Sequence, residues 1–203
     1  MHWRGKIEFY HPLWEFIDIF AWSYKDLCGF DPHVIQHSNP LEEGSVPVRQ
    51  RQCQVNPKLN VLIRKELDKM LDSVIILPVW YLKWVANLVP VQKKNGEIRL
   101  CVNFHHLNRV SVKENFPLPF MDAILKKGTG SGMMLLLDDF SGYNQVFINC
   151  WDRYKTMTTT WWGTYAYHHI PFGLINYSAT FQRVMHIAFD DLIGSLSKSF
   201  WMT

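Results

Sequence analysis

Apolar residues recur at helical spacing in the segment that follows Pro57. Asn56 is a good N-cap, and Pro57 suits the first turn of a helix because an N–H is not needed there. The apolar positions repeat with a period near 3.6 residues, at Leu59, Leu62, Ile63, Leu67, Met70 and Leu71. The other face carries Lys58, Arg64, Lys65 and Lys69. The pattern predicts an amphipathic helix with a basic outer face.

Two further helices are predicted from apolar spacing. Residues 13–24 are apolar and aromatic enough for a short helix, which a linker rich in Gly, Pro and Asn follows through about Val48. Near the other end, Ser178 can cap a helix. Its apolar stripe comprises Phe181, Val184, Met185, Ala188, Phe189 and Leu192.

Alternating and short apolar runs predict strands between these helices. Asn87 to Gln92 and Ile98 to Phe104 flank Asn95-Gly96, a strong two-residue turn, so they predict a β-hairpin. Further strands are predicted at Leu135–Leu137, Tyr143–Ile148, Thr156–Thr160 and Thr164–His168. Helices and strands mix without strict βαβ alternation, which predicts an α+β fold.

Composition and charge indicate a globular chain with two unlike parts. Of 203 residues, 48% are hydrophobic and 19% charged. Residues 1–44 hold three Lys or Arg and seven Asp or Glu, whereas residues 45–203 hold eighteen and eleven. We therefore expect an acidic leader over 1–44 and a basic domain over 45–203 that suits a polyanionic partner. Without a signal peptide or a transmembrane-length apolar run, the expected location is intracellular, in cytoplasm or nucleus, with no membrane contact.

The cysteines and the histidine pair do not predict a metal site. Cys28, Cys53, Cys101 and Cys150 are widely separated and form no CxxC pair, so we expect reduced, buried thiols. His168 and His169 are adjacent and would point to opposite faces of a strand. We therefore expect both histidines to lie at a solvent-exposed edge.

The segment from Leu135 to Val146 is the strongest candidate for chemistry. An apolar strand that ends in a carboxylate holds that carboxylate with little positional freedom, as a Mg²⁺ ligand requires. Alternation sends Asp138 and Asp139 to opposite faces, so the two are not expected to bind one ion. The alternative is that an aspartate at a strand end is an ordinary turn or cap residue.

Two other segments admit a functional and an ordinary interpretation. Lys93, Lys94 and Arg99 flank the Asn95-Gly96 turn and suit a triphosphate, although hairpin tips are commonly charged simply because water surrounds them. Residues 171–174, Pro-Phe-Gly-Leu, could let the backbone approach a ligand, or the glycine could serve a plain turn.

Taken in order, the motifs resemble a known family. The runs are WVANLVPVQKKNGEIRLCVNFHHLN, NFPLPFMD, LLLDDFSGYNQ, DRYKT and WGTYAYHHIPFGLINYSATFQRVM. Together they cover about residues 45–194 and resemble the reverse transcriptase domain of gypsy-type long-terminal-repeat retrotransposon polyproteins. The leader run FIDIFAWSYKDLCGFDP resembles the stretch before that domain in plant elements. The resemblance implies the fingers and an incomplete palm of a right-hand polymerase, with thumb and ribonuclease H absent.

The resemblance also implies a site that binds two Mg²⁺ ions, a deoxynucleoside triphosphate and an RNA or DNA template-primer. Asp138 matches the first metal-binding and catalytic aspartate, with Asp139 beside it offering its carbonyl. The remaining positions match a nucleotide pocket. Arg99, with Lys93 or Lys94, matches the residues that grip the triphosphate, and Ser141 and Gly142 would offer N–H groups to phosphate. Tyr143 matches the gate under the sugar, and Phe172 and the helix from Asn176 to Gln182 match the floor.

The chain departs from the family pattern at several positions. Asn103-Phe104-His105 replaces an Asp-aromatic-Arg run, so a neutral Asn–His hydrogen bond is expected in place of an ion pair. Tyr177 replaces a small residue at the start of the pocket helix. The second aspartate pair, of the form aromatic-x-Asp-Asp, is missing, and a two-base shift of the codons for Phe200 to Thr203 would encode Leu-Asp-Asp.

We infer from this hidden aspartate pair a frameshift between about Gly194 and Ser199. The activity implied by the resemblance is RNA-directed DNA polymerase, and this chain is expected to be an inactive retrotransposon remnant. The alternatives are a residual, non-catalytic nucleic-acid-binding module and an enzyme whose reading frame is restored.

Overall fold

The computed structural model describes residues 14–15, 17–81, 83–94, 96–118, 120, 122, 126, 129 and 142–190. Within these residues the helices are α1 (Asn60–Asp72), α2 (His105–Val110) and α3 (Tyr177–Phe189). The strands are β1 (Ile76–Pro78), β2 (Ala86–Gln92), β3 (Ile98–Val102), β4 (Thr158–Thr160) and β5 (Gly163–Tyr167). This mixture confirms the predicted α+β class.

Helix α1 begins as its sequence predicts. The side-chain oxygen of Asn56 accepts a hydrogen bond from the Lys58 N–H at 3.0 Å, and a 3₁₀ turn, Pro57–Leu59, leads into the helix. Ile63 and Leu67 are buried in the core. The basic outer face is partly neutralised along the helix, because Arg64 pairs with Asp68 and Lys69 pairs with Glu66.

The end of α1 holds a non-glycine residue in the left-handed region. Val74 has a φ of 55°, and its N–H donates to the Leu71 carbonyl at 3.0 Å. The next N–H, of Ile75, returns to the Met70 carbonyl at 2.9 Å. These bonds form the reversal that usually places glycine at this position, because a Cβ is strained there. The β-branched Val74 is therefore a strained residue.

The five strands form one mixed sheet in the order β1-β5-β4-β2-β3. Strands β2 and β3 form the predicted hairpin, with Leu88 opposite Val102 and Gln92 opposite Ile98. At its turn Gly96 has a φ of 85°, the conformation for which the sequence supplies glycine. Strand β2 pairs in parallel with β4, whereas β5 pairs antiparallel with both β4 and β1.

Two local predictions are wrong. Tyr143–Ile148 is not a strand, because Gly142–Gln145 forms a 3₁₀ turn that buries its apolar side chains. Helix α3 begins after Asn176 and not after Ser178. The Asn176 amide is used elsewhere, since it accepts from the Glu114 N–H at 3.0 Å and donates to the Val112 carbonyl at 2.8 Å. The strand predicted at Leu135–Leu137 lies outside the described residues.

The leader packs into the body of the protein. Of the single helix predicted over residues 13–24, only Trp14 and Glu15 are described as α-helical, and Ile17–Ile19 and Tyr24–Asp26 form separate 3₁₀ turns. The supposed linker then buries His37 and Asn39 completely. The His37 N–H donates to the Phe147 carbonyl at 2.8 Å, and the Asn39 N–H donates to the Asp152 carboxylate at 2.7 Å. The boundary at residue 44 stays a prediction.

Burial corrects the expectations for cysteine and histidine. The cysteines are unpaired as predicted, but Cys28, Cys53 and Cys150 are exposed and not buried. His169 is buried where a solvent-edge residue was expected. Its ring packs against Phe147 at a centroid distance of 4.4 Å and forms a hydrogen bond with the main chain of Asn144 in the 3₁₀ turn.

Candidate nucleotide site

Four aromatic rings meet where the Gly142–Gln145 turn faces helix α3. Tyr143 lies 4.9 Å from Phe172, 4.9 Å from Tyr177 and 4.8 Å from Phe181, measured between ring centroids. The interplanar angles of 60–72° are those of edge-to-face or tilted pairs, which aromatic rings favour. We call these residues the aromatic cluster.

Local sequence explains how each ring reaches the cluster. Val146 is fully buried just after the 3₁₀ turn, and its N–H donates to the Tyr143 carbonyl at 3.2 Å. Tyr177 and Phe181 are four residues apart on α3, so their side chains lie on one face of the helix. Phe172 comes from the loop between β5 and α3, residues 168–176.

Asn108 of helix α2 fixes the loop that carries Phe172. Its amide nitrogen donates to the Gly173 carbonyl at 2.6 Å, and its amide oxygen accepts from the Ile175 N–H at 3.0 Å. Gly173 has a φ of 99°, and a Cβ there would lie 3.5 Å from the Val102 carbonyl oxygen. The loop thus requires glycine for its backbone conformation, and it packs against β3.

Strand β3 delivers one of the three predicted cations to the aromatic cluster. The Arg99 guanidinium lies over the Phe172 ring at 5.5 Å, a cation–π distance. Lys93 is instead paired with Glu97 at 3.2 Å, and Lys94 is exposed at the hairpin turn. The structure brings Arg99, Phe172 and Tyr143 together and leaves Lys93 out.

The structure describes only some of the other predicted pocket residues. Gly142 is buried at the start of the 3₁₀ turn, and Gln182 follows Phe181 on α3 in a partly buried position. Asp138, Asp139 and Ser141 lie outside the described residues. In the part of the chain that the structure describes, no three His, Cys, Asp or Glu side chains are grouped to hold a metal.

The second anchor of α3 was missed from the sequence. Besides the Asn176 bonds, Arg183 forms an ion pair with Glu114 and lies over Phe116 at 5.4 Å. These contacts hold residues 112–116 across the helix. The signal available was Asn176, a good N-cap residue two positions before Ser178.

The electrostatics of Tyr143 favour a neutral phenol. Burial, and secondarily the nearby Tyr177, raises the pKa of its hydroxyl. The expected Asn–His hydrogen bond takes another form, because the Asn103 side-chain oxygen accepts from the His105 main-chain N–H at 3.1 Å. That bond satisfies an N–H at the start of α2 and leaves the His105 ring out of it.

Solved structures show which fold this arrangement belongs to. A foamy viral protease-reverse transcriptase in complex with double-stranded DNA aligns with a TM-score of 0.77 and 17% identity, over 96% of this chain and 34% of that one. The same kind of protein in complex with an RNA/DNA hybrid aligns with a TM-score of 0.69 and 15% identity, over 96% and 26%. The fold therefore matches that of part of these protease-reverse transcriptases.

Sequence relatives show which kinds of protein this chain resembles. The retrovirus-related Pol polyprotein from transposon 297 of Drosophila melanogaster is 27% identical over 76% of this chain and 14% of its own length. The polyprotein from transposon opus, also of Drosophila melanogaster, is 30% identical over 66% and 14%. An RNA-directed DNA polymerase homolog of Oenothera berteroana is 34% identical over 44% of this chain and 63% of its own length.

The homologues of this chain are therefore retrotransposon Pol polyproteins and an RNA-directed DNA polymerase homolog, which confirms the resemblance predicted from the sequence. The chain spans about one seventh of the length of the two transposon polyproteins. No protein-family profile matches it. Among the described residues, no helix combines the length and the apolar character needed to cross a membrane.

Proposed function

We propose that this chain is the nucleotide-binding part of an RNA-directed DNA polymerase, with fingers and part of the palm over residues 45–203 behind an acidic leader, 1–44. The observation that carries the proposal is the convergence of Arg99, Phe172 and Tyr143. A hairpin cation, a loop aromatic and a buried phenol come from three distant segments and meet at one place. If Arg99 were only a solvated charge at the tip of the hairpin, its guanidinium would not need to lie over Phe172.

In this proposal the triphosphate lies along the hairpin. Arg99 offers a planar fork of N–H donors to phosphate oxygens, and Lys94 adds a point charge. Ser141 and Gly142 would donate main-chain N–H groups. Tyr143 would lie under the sugar, and Phe172 and Gln182 would form the floor. We assign Lys93 a smaller role, because Glu97 already neutralises it.

The proposed polymer partner is an RNA or DNA template-primer. Foamy viral protease-reverse transcriptases of the same fold have been solved with double-stranded DNA and with an RNA/DNA hybrid, which supports this choice. The basic excess in residues 45–203 supports it as well. By the resemblance, Asp138 would hold Mg²⁺ with the Asp139 carbonyl beside it, and a bound Mg²⁺ would neutralise charge on the triphosphate.

Nucleotide binding is the first test. We expect Mg·dTTP to bind the purified chain, measured by saturation-transfer NMR. Arg99→Ala should weaken this binding by roughly tenfold or more, because a charge-assisted hydrogen bond contributes about 1.5–3 kcal/mol. Lys93→Ala should change it by less than about threefold, since that ammonium is paired, and Lys58→Ala on helix α1 serves as the distant control. Binding that Arg99→Ala leaves unchanged would contradict the proposal.

Primer extension is the second test. The 203 residues contain no aromatic-x-Asp-Asp sequence, so only the Asp138 site of the expected metal-binding carboxylates is present. We therefore propose that residues 1–203 by themselves bind nucleotide and do not extend a primer. Extension with Mg²⁺ that disappears on Asp138→Ala would overturn the inactive assignment. Hybrid binding without any nucleotide binding would instead favour a non-catalytic nucleic-acid-binding module.

A further inference from the structure

Exposure decreases inward across the aromatic cluster. Phe172 is 44% exposed and Tyr177 is half-buried, whereas Tyr143 is 8% exposed and Phe181 is 4% exposed. Because Tyr143 contacts all three other rings, the two partly exposed rings stand between it and solvent. A ligand that is to touch the face of Tyr143 must first displace one of them.

The two outer rings are held very differently. Phe172 lies under the Arg99 guanidinium, and the Asn108 amide bridges the Gly173 and Ile175 main chain just after it. Tyr177 contacts Tyr143 at 4.9 Å and Phe172 at 6.2 Å through its ring alone. Its hydroxyl makes no hydrogen bond to a described residue. Tyr177 is thus the outer ring whose displacement breaks the fewest bonds.

Tyr177 also stands where a side chain can swing without unfolding the helix. It is the first residue of α3, and the main-chain N–H of Tyr177 makes only a long, 3.4 Å bond to the Leu174 carbonyl. The deeper anchors of the helix, Asn176 and Thr180, are buried on either side of it along the chain. A rotation of the Tyr177 side chain leaves those anchors in place.

We propose that Tyr177 is an aromatic latch that covers Tyr143 and must swing aside before a nucleotide sugar can occupy the site. The ligand class is the deoxyribose of an incoming nucleoside triphosphate, so this inference rests on the proposed function and assigns a further specificity-determining residue to it. The ring-on-ring contact competes with the sugar for the same face of Tyr143. The site therefore binds nucleotide more weakly than it would if Tyr177 did not cover the face of Tyr143.

Chemical access to Tyr143 tests the latch without any nucleotide. We expect tetranitromethane to nitrate Tyr143 slowly in the wild-type chain and in Tyr177→Phe, which keeps the ring, and at least about fivefold faster in Tyr177→Ala, which exposes a buried phenol. Mass spectrometry of the Tyr143 peptide gives the rate, and thermal unfolding checks that each variant is folded. Equal rates in the three folded proteins would overturn the latch. If Tyr177→Ala unfolds, Tyr177→Leu replaces it, with a smaller increase expected.

Nucleotide binding then separates this inference from the function on which it rests. Removing an edge-to-face aromatic pair should tighten Mg·dTTP binding by roughly three- to tenfold in Tyr177→Ala, and Tyr177→Phe should leave it unchanged. Equal affinity in wild type and Tyr177→Ala would overturn the latch and leave the proposed function standing. Failure of every folded variant to bind Mg·dTTP would overturn the proposed function, while the nitration rates still decide whether Tyr177 covers Tyr143.

Discussion

The Nδ1 atom of His37 lies 2.8 Å from the hydroxyl oxygen of Thr180, which joins the leader to helix α3 across 143 positions of sequence. The Thr180 hydroxyl donates its own hydrogen to the Asn176 carbonyl at 3.1 Å, so the His37 ring must donate at Nδ1. Because burial lowers the pKa of His37 to about 4, the imidazole is neutral at pH 7 with its proton on Nδ1. Its buried Nε2 has no hydrogen-bond partner among the described residues.

The folded protein should lose stability as the pH falls from about 6.5 toward 4. Burial lowers the pKa of His37 to about 4, and burial lowers that of His169 to about 4 as well. The unfolded chain therefore binds protons in this range that the folded chain excludes. Each histidine contributes a slope of up to about 1.4 kcal/mol per pH unit. Urea unfolding at pH 7.5, 6 and 5 measures it.

Two variants identify the source of that slope. His37→Asn should flatten the profile, because it removes one of the histidines whose pKa burial lowers and which take up a proton on unfolding. His33→Asn changes an exposed histidine and should keep the wild-type slope. A wild-type free energy of unfolding that stays constant between pH 7.5 and 5 would contradict the prediction.

Replacing Val74 with glycine should stabilise the protein by about 1 kcal/mol, because it removes a left-handed β-branched residue at the end of α1. Val74 is 48% exposed, so little apolar burial is lost. Val61 supplies a matched control within the same helix, where it is 76% exposed. Val61→Gly should destabilise by roughly 0.5 kcal/mol. Chemical denaturation of both variants measures the change in the free energy of unfolding. If both substitutions change it in the same direction, Val74 is not strained.

Asn108 should contribute to stability through two separate hydrogen bonds. Asn108→Ala removes both and should cost about 1–3 kcal/mol, because it leaves the Gly173 carbonyl and the Ile175 N–H without this partner. Asn108→Asp keeps the acceptor for Ile175 but places a carboxylate oxygen against the Gly173 carbonyl, so we expect a loss at least as large as that of Asn108→Ala. An aspartate variant as stable as wild type would show that the Gly173 bond contributes nothing.

Binding to an RNA/DNA hybrid should be weak, independent of base sequence and strongly salt-dependent, because phosphate contacts dominate such binding. Arg99→Ala and Lys94→Ala should each reduce the slope of log K against log salt concentration by about 1. Lys25→Ala is the control, since Lys25 belongs to the acidic leader and pairs with Asp72 at 3.8 Å. Fluorescence anisotropy at about 50 to 300 mM salt, on hybrids of two unrelated sequences, measures the salt dependence and the dependence on base sequence. This is about the range over which counterion release is visible. An affinity that differs between the sequences would contradict this account.

Elements with local signals were predictable from the sequence. Helix α1 follows from Asn56, Pro57 and an apolar period, and the β2–β3 hairpin follows from a turn that needs glycine at residue 96. Both signals act within a few residues and do not depend on the rest of the chain. The family resemblance also named Tyr143 and Phe172, whose ring centroids lie 4.9 Å apart in the structure. Their role in a nucleotide site stays a prediction.

Features that depend on distant neighbours were not predictable. The run from Tyr143 to Ile148 alternates like a strand, yet Gly142–Gln145 forms a 3₁₀ turn. The Tyr143 ring packs on Phe181 of α3, and the carbonyls of Gln145 and Phe147 accept hydrogen bonds from the leader. His37 and Asn39 look like residues of a polar linker, and only partners more than a hundred positions away make them buried ones. Likewise, Lys93 is set apart from Arg99 by one ion pair to Glu97.

The order of the sheet also governs when the protein can acquire its structure during synthesis. Strand β1 leaves the ribosome early but pairs with β5, and the leader finds its partner at Asp152 after 113 positions. Such non-local closures carry a large entropy cost and slow folding. Helix α1 and the β2–β3 hairpin can form first, because their bonds are local. A nascent chain therefore exposes β1 and the leader to proteases and chaperones until residues 146–170 have emerged.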